Sequence, residues 1–524
     1  MSAIAFQAAP SESVERRWRI TFLVSFLLAL LARIPFYATH HIQEDAYITF
    51  RSAFNLADLH DYSFNLGDHA TGVTSALYGP YVAAIRLLFR SHPIAAVSVL
   101  NTAIFLAGAA LLTFAFFNEW RNRLLFFIAI ALLPVGLLIS YTGMEIPLQV
   151  AAFCCVIFTL RRGQPNRFTL IGILLLPLIR PDAIAYSLIL SVLVFSFDKV
   201  RGILAVIFSF AGSALVLIFN RLLTGQFITA TMQAKEAAYR PHHGIFPFLA
   251  AARTILITYS YLQPVETKFL DWAGPLVTLI VLAGCILALR ILRKDTVVFR
   301  LVLACFAAGV LIPAAYAFGG VLFPWYFWTS NWLCLSLICF VVVKWVATRN
   351  PQARAATLVV LALIWVGMDG LQWLVSCNIG LQEYHYRADV GRWLHQTANP
   401  ADTLELEPAG YIPFYAGLRT YDEIGLVSPL VLDYRIRYGG AWWMAFLKQK
   451  RPDWLVERVN APEHITMDGV HLSPQDANWF DTHYTLVRHF HYSPENYVHN
   501  PFLLDLMKNG THADYYVYRS TTAR

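Results

Sequence analysis

The sequence predicts a polytopic α-helical membrane protein with a small C-terminal α/β domain outside the membrane. Three observations lead there. Of 524 residues, 57% are hydrophobic and 14% charged, and the mean hydropathy is +0.52; soluble domains carry about 25% charged residues. The apolar residues gather into about eleven runs, each near the roughly 20 residues that a helix needs to cross a bilayer. Basic residues cluster in every second connection between those runs, and beyond residue 377 the composition turns polar and aromatic.

The predicted spans are 18–36, 93–117, 124–141, 145–160, 168–180, 182–197, 203–219, 272–292, 301–318, 325–346 and 355–377. The fifth and sixth are short and separated only by Pro181, so they also read as one broken hairpin. The run 21–36 is followed by no small-residue cleavage site and reads as a first anchor.

Arg16, Arg17 and Arg19 precede the first span; Arg121 and Arg123, Arg161, Arg162 and Arg167, Lys199 and Arg201, and Lys344, Arg349 and Arg354 follow the second, fourth, sixth and tenth. Arg290, Arg293, Lys294 and Arg300 surround the turn between the eighth and ninth. The connections at 142–144 and 319–324 have neither Lys nor Arg. This positive-inside pattern places the N-terminus in the cytoplasm. The segments 37–92, 221–271 and 378–524 then lie outside. Within the first, 76–90 is amphipathic and suits the interface.

Two domains follow: a membrane domain over 1–377 and a soluble domain over 378–524. In the latter, 403–406, 454–458, 484–492 and 515–518 read as strands and 390–396 as a helix. The net charge of +7 sits in short loops, where it sets topology, and does not point to nucleic acid. The seven cysteines, Cys154, Cys155, Cys285, Cys305, Cys334, Cys339 and Cys377, have no metal-ligand spacing and read as small apolar residues.

The polar residues that could carry chemistry concentrate at the outer ends of spans. Glu44 and Asp45 follow the first span directly. Asp45 could cap a helix over 46–56, or serve as a general base whose pKa burial has raised. Arg180-Pro181-Asp182 interrupts a long apolar stretch, where charges pair or line a cavity. Glu145 could cap the following helix or point into a site. Lys235, with Arg221 and Arg240, lies in a segment too polar to span and could meet an anionic headgroup or snorkel at the surface. The turn 319–326 opens onto aromatics and could shape a lipid-facing groove. No Walker loop, GxGxxG or HExxH is present, so nucleotide-driven chemistry has no visible seat.

The block Glu44-Asp45-Ala46-Tyr47-Ile48-Thr49-Phe50-Arg51, then Asn55, Phe64-Asn65-Leu66-Gly67 and Gly72-Val73-Thr74, resembles the membrane glycosyltransferases of the C-type fold. It is most similar to the lipid-donor terminal arabinofuranosyltransferases of cell-wall arabinan and their bacterial relatives. Thr142-Gly143-Met144-Glu145, Ile179-Arg180-Pro181-Asp182, Gly391-Arg392-Trp393-Leu394, Ala409–Leu418 and Asp422–Leu426 extend the likeness through most of the chain. It departs at Glu44, where the family has Asp, and at Leu59, Asp61, His69 and Thr71.

The resemblance implies an enzyme transferring a pentosyl or hexosyl group from a polyprenyl-phosphate donor to a glycan, lipid or protein acceptor, with inversion. Asp45 would be the base, Glu44 its helper, and Arg51, Arg180 and Lys235 the phosphate contacts. Tyr47, Asn55, Asn65, Glu145 and Asp182 would line the substrate cavity. No cofactor is required, although two adjacent acids could hold a divalent ion. The competing class is a transporter or flippase for a lipid-linked glycan; the absence of two matching broken-helix halves counts against it. A third is a non-catalytic scaffold with a binding tail.

Overall fold

The computed structural model describes residues 12–238, 268–292, 295–319, 323–458, 471–496, 501 and 514–521. Arg240, Arg293, Lys294, most of 221–271 and the Gly-rich part of the 319–326 turn lie outside the described residues.

Six helices are long and apolar enough to cross a membrane: Glu15–Tyr37, Pro93–Phe116, Lys199–Thr224, Thr296–Phe318, Trp328–Ala347 and the run Pro351–Thr397. A seventh span arises if Trp120–Ala131 and Pro134–Tyr141, bent by 66° at Pro134, act as one. The expectation of about eleven spans also counted Ile146–Thr159, Arg167–Ile179, Pro181–Phe197 and part of the helix ending at Ile291, which are shorter apolar helices. Hydropathy does not separate a helix facing lipid from one packed inside the bundle, so these shorter helices make the whole difference between the two counts.

Helix Pro93–Phe116 packs closely on Ile146–Thr159. The approach depends on Gly108, where a Cβ would come within 2.9 Å of Ala151 Cα. Helices Arg167–Ile179 and Ile184–Phe197 form a hairpin about Arg180–Ala183, with Ser187 Oγ donating to Ile173 O at 3.0 Å. The seven cysteines are free thiols, five of them buried.

The last apolar helix, Pro351–Gly380, does not stop at residue 378. It widens into a π-helix over Leu381–Arg387 and continues as Ala388–Thr397. It leads into a five-stranded sheet of order β2-β1-β3-β5-β4. The strands are β1 (Thr403–Leu406), β2 (Arg419–Asp422), β3 (Trp454–Glu457), β4 (Tyr484–Phe490) and β5 (Tyr515–Ser520). β1 pairs in parallel with β2 and β3, while β5 is antiparallel to β3 and β4. Four strands coincide with the sequence expectation; β2, four residues between polar ends, was not anticipated.

The sheet domain is tied to segment 37–92. Asn65 Nδ2 donates to Thr420 O and its Oδ1 accepts from Thr420 N–H, both at 2.8 Å. Ile48, Phe64, Ala409 and Val427 share one buried cluster, and Tyr411 Oη donates to Ile42 O at 2.9 Å.

Candidate active site

Glu44 and Asp45 open the helix Glu44–Leu59, whose N-cap is Gln43. Neither acid is a cap; both lie in the first turn, where the helix dipole favours negative charge. Consecutive helical residues point about 100° apart, and the two carboxylates part accordingly.

Glu44 turns toward the C-terminal domain. Its Oε1 accepts the N–H groups of Gly410 (2.8 Å) and Tyr411 (3.1 Å), and Arg387 donates to Oε2 at 2.9 Å. The same Arg387 Nη1 holds Glu383 at 2.7 Å, one turn back on the π-helix. Gly410 is required here, since a Cβ would sit 2.5 Å from Glu44 Oε1. Burial alone would raise the Glu44 carboxyl; Arg387 and the Gly410 N–H outweigh it and hold it below the usual carboxylate range.

Asp45 turns the other way, into a cavity of about 200 Å³ also lined by Thr74, Glu145, Arg180, Asp182, Lys235 and Tyr326. No described residue donates a hydrogen bond to it. Burial raises the Asp45 carboxyl above its usual range, and Lys235 and Arg180 only partly offset the rise.

Opposite stands Lys235, on helix Ala230–Ala238, bonded to Tyr326 Oη at 3.2 Å with its ammonium 5.2 Å from the Phe323 ring centroid. Burial works against its charge, but Asp45 outweighs that and keeps its pKa above the ordinary lysine value.

Arg180 is buried at the hairpin turn between two carboxylates. It donates to Asp182 through Nε (3.0 Å) and Nη2 (2.9 Å) and to Glu145 through Nη1 (3.0 Å). Tyr316 also donates to Asp182, and the guanidinium lies 5.3 Å from the Tyr326 ring centroid. Glu145 precedes helix Ile146–Thr159 without capping it through its side chain. A guanidinium already paired with two acids offers less net charge to a phosphate than Lys235 does.

Of the sequence-predicted residues, Asp45, Glu145, Arg180, Asp182 and Lys235 meet at this cavity. Arg51 does not. Its Nε donates to Phe64 O at 3.0 Å, Nη1 to Pro413 O at 2.8 Å and Nη2 to Leu418 O at 2.7 Å, with the guanidinium stacked on Phe64. Its placement supports joining segment 37–92 to the sheet domain rather than phosphate contact. Asn55 donates to Ser63 O at 2.8 Å and Phe64 O at 3.2 Å, and Asn65 bridges to β2. Tyr47 packs on Tyr411 with its hydroxyl 3.3 Å from Tyr415 Oη, and lines a separate cavity with His40, His92 and Tyr384. The two adjacent acids face different surroundings, Glu44 the donors of Gly410, Tyr411 and Arg387 and Asp45 the cavity. Arg387 and Tyr316 were not singled out from the sequence, whereas Tyr326 closes the aromatic turn 319–326; the acid at Glu44 demanded a partner, but nothing in the spacing pointed 343 residues downstream.

Residues 378–518 match a family described as a domain of unknown function (DUF8728). No curated protein matches the sequence. Among solved structures, the chain is similar to ArnT from Cupriavidus metallidurans bound to undecaprenyl phosphate, with a TM-score of 0.58 and 12% identity over 96% of this chain and 98% of that one. It is also similar to the oligosaccharyltransferase of Archaeoglobus fulgidus tethered to an acceptor peptide (TM-score 0.55, 13% identity, 90% of this chain and 73% of that one). The archaeal oligosaccharyltransferase AglB of the same organism, in complex with an inhibitory peptide and a dolichol-phosphate, aligns with a TM-score of 0.50 and 12% identity over 84% of this chain and 69% of that one. These are C-type glycosyltransferase folds, and the chain has that fold.

Proposed function

We infer that the protein is a membrane glycosyltransferase moving a pentosyl or hexosyl group from a polyprenyl-phosphate donor to an acceptor hydroxyl on a cell-envelope glycan, lipid or protein. One observation carries this reading: Asp45, whose carboxylate accepts no hydrogen bond from any described residue, faces a half-buried lysine, Lys235, across a cavity in a C-type glycosyltransferase fold. Neighbours bound to undecaprenyl phosphate and to dolichol-phosphate support the donor class.

Asp45 takes the proton of the acceptor hydroxyl as its oxygen attacks the anomeric carbon. The bond from that carbon to the phosphate oxygen breaks, and the electron pair leaves with the polyprenyl phosphate. Lys235 balances the charge that builds there, and the Arg180–Glu145–Asp182 cluster fixes the cavity wall. A single displacement of this kind inverts the anomeric centre. A phosphate leaves readily, so no second acid is required, unlike glycoside hydrolysis. Glu44 helps by holding the helix that carries Asp45. The reaction runs on the extracytoplasmic face of a bacterial inner membrane, and the positive-inside pattern supports that orientation. The Lys235 ammonium supplies positive charge at the leaving phosphate without a metal.

The experiment is sugar transfer from a synthetic polyprenyl-phosphate donor by detergent-purified wild type and Asp45→Asn. Loss of transfer with donor binding retained is expected. Near-normal turnover in the variant would remove Asp45 as the base, and donor translocation without glycosylated product would favour a flippase.

A further inference from the structure

The outer edge of the sheet carries a second group of polar side chains, remote in sequence from the cavity. β4 runs Tyr484–Phe490 and is the edge strand next to β5. Along an extended chain, residues two apart point to one side, so His489 and His491 share a face. Phe490 pairs with Tyr515, which places Asp514 opposite His491 on the neighbouring strand.

The side chains converge. His489 Nε2 lies 2.8 Å from Asp514 Oδ2, and His491 Nδ1 lies 3.0 Å from Asp514 Oδ1 and 3.1 Å from Oδ2. One donor atom from each residue falls within 4.8 Å of the other two. A tetrahedral Zn²⁺ with bonds of about 2.0–2.1 Å keeps its ligands roughly 3.4 Å apart, so small side-chain rotations bring all three into register. The His489 ring is already fixed, stacked on Tyr516 at 4.4 Å with planes 6° apart. Two imidazoles and one carboxylate are ligands for a borderline-soft divalent ion, and they leave a fourth position to water.

We propose that His489, His491 and Asp514 form a binding site for a first-row divalent cation, with Zn²⁺ as the best fit. The ion clips the end of β4 to the start of β5. The clip borders the junction with the membrane domain, because Tyr386 Oη donates to Phe490 O at 2.8 Å and the Tyr386 ring lies 5.5 Å from that of Tyr515. The site is distinct from the reaction cavity, and its test does not depend on glycosyl transfer.

The experiment uses full-length protein in detergent, stripped with EDTA and titrated with Zn²⁺ in competition with a chromogenic chelator. Wild type is expected to bind one equivalent, and His491→Ala and Asp514→Asn, each removing a direct ligand, to weaken that affinity by at least the roughly 10- to 100-fold that loss of an outer-shell partner costs. Both positions are at the sheet surface, and circular dichroism confirms folding of each variant. Glu457→Gln, in the only other three-residue ligand group among the described residues, is expected to bind like wild type. Failure of wild type to bind Zn²⁺ overturns the proposal; so does undiminished binding by both variants, or loss of the equivalent in Glu457→Gln.

Discussion

Arg387 donates to Glu44 Oε2 at 2.9 Å while the same Nη1 holds Glu383 Oε2 at 2.7 Å. This three-residue cluster, with each side chain about one-sixth exposed or less, lies where the helix that carries Asp45 meets the sheet domain. It fixes the first turn of that helix and therefore the direction in which Asp45 points. Removing one partner of a buried pair leaves an uncompensated charge, at a cost of about 3–5 kcal/mol. Arg387→Ala strands two carboxylates and should lower the unfolding temperature strongly. Glu44→Gln keeps the Glu383 partner and the amide oxygen that accepts from Gly410, and should lower it less. Thermal unfolding in detergent checks the order.

Within this cluster, Glu44 sets an acid limit on stability. Arg387 holds Glu44 below its unfolded pKa, so the folded state binds fewer protons than the unfolded chain between the two values. The stabilisation is present above the unfolded value and is lost as pH falls through the folded one. Wild type should lose stability more steeply than Glu44→Gln as pH drops below about 4.5, as pH-dependent denaturant unfolding would show.

Asp45 predicts a different pH dependence. Burial raises its carboxyl, and a general base must be ionised to act. The acid limb of kcat/KM should therefore fall at a higher pH than an ordinary aspartate gives. Asp45→Asn should reduce kcat by about 10²–10⁴-fold and abolish that limb. A pH–rate profile of wild type and the residual activity of the variant test both points.

Lys235 and Arg51 should separate in kinetics. Lys235 lines the cavity and Arg51 does not. Lys235→Met should lower transfer by roughly 10²-fold or more through loss of charge stabilisation at the leaving phosphate, with unchanged unfolding temperature. Arg51→Lys loses fork contacts to carbonyls from two parts of the chain, because lysine cannot reproduce the planar geometry. It should lower stability by about 1–3 kcal/mol with little change in donor KM for the folded fraction. A matched loss of donor affinity in both variants would return Arg51 to the phosphate site.

Much of this arrangement was legible in the sequence, for identifiable reasons. Asp45, Glu145, Arg180 and Asp182 are charges at the ends of apolar runs, where a charge needs a partner or a cavity, and they share one cavity with Lys235 from the polar segment that follows the seventh run. Four strands announced themselves through β-branched and aromatic runs. The split between Glu44 and Asp45 was not legible, since it depends on Arg387 far along the chain. The role of Arg51 was not legible, because an arginine beside an acid pair fits a phosphate contact as well as it fits the three carbonyls it bonds here. The span count turns on the apolar helices of 10–17 residues, which look alike in sequence whether they face lipid or protein.

The interior of the sheet domain holds a last, opposite pH effect. Glu405 and Glu457 are buried on one face of the sheet, with Trp443 Nε1 donating to Glu405 Oε1 at 2.9 Å. Burial pushes the Glu457 carboxyl up to about 7. Here the folded state binds more protons than the unfolded chain, so the contribution is fully present below the unfolded value and is lost as pH rises through about 7. Glutamine is neutral at every pH and nearly the same shape. Glu457→Gln should therefore be close to wild type in stability at pH 5 and more stable at pH 8, by an amount on the order of 1–3 kcal/mol. Denaturant unfolding at the two pH values, with EDTA present throughout, decides it: an unchanged difference between pH 5 and pH 8 would mean that Glu457 is ionised and paired in the folded protein.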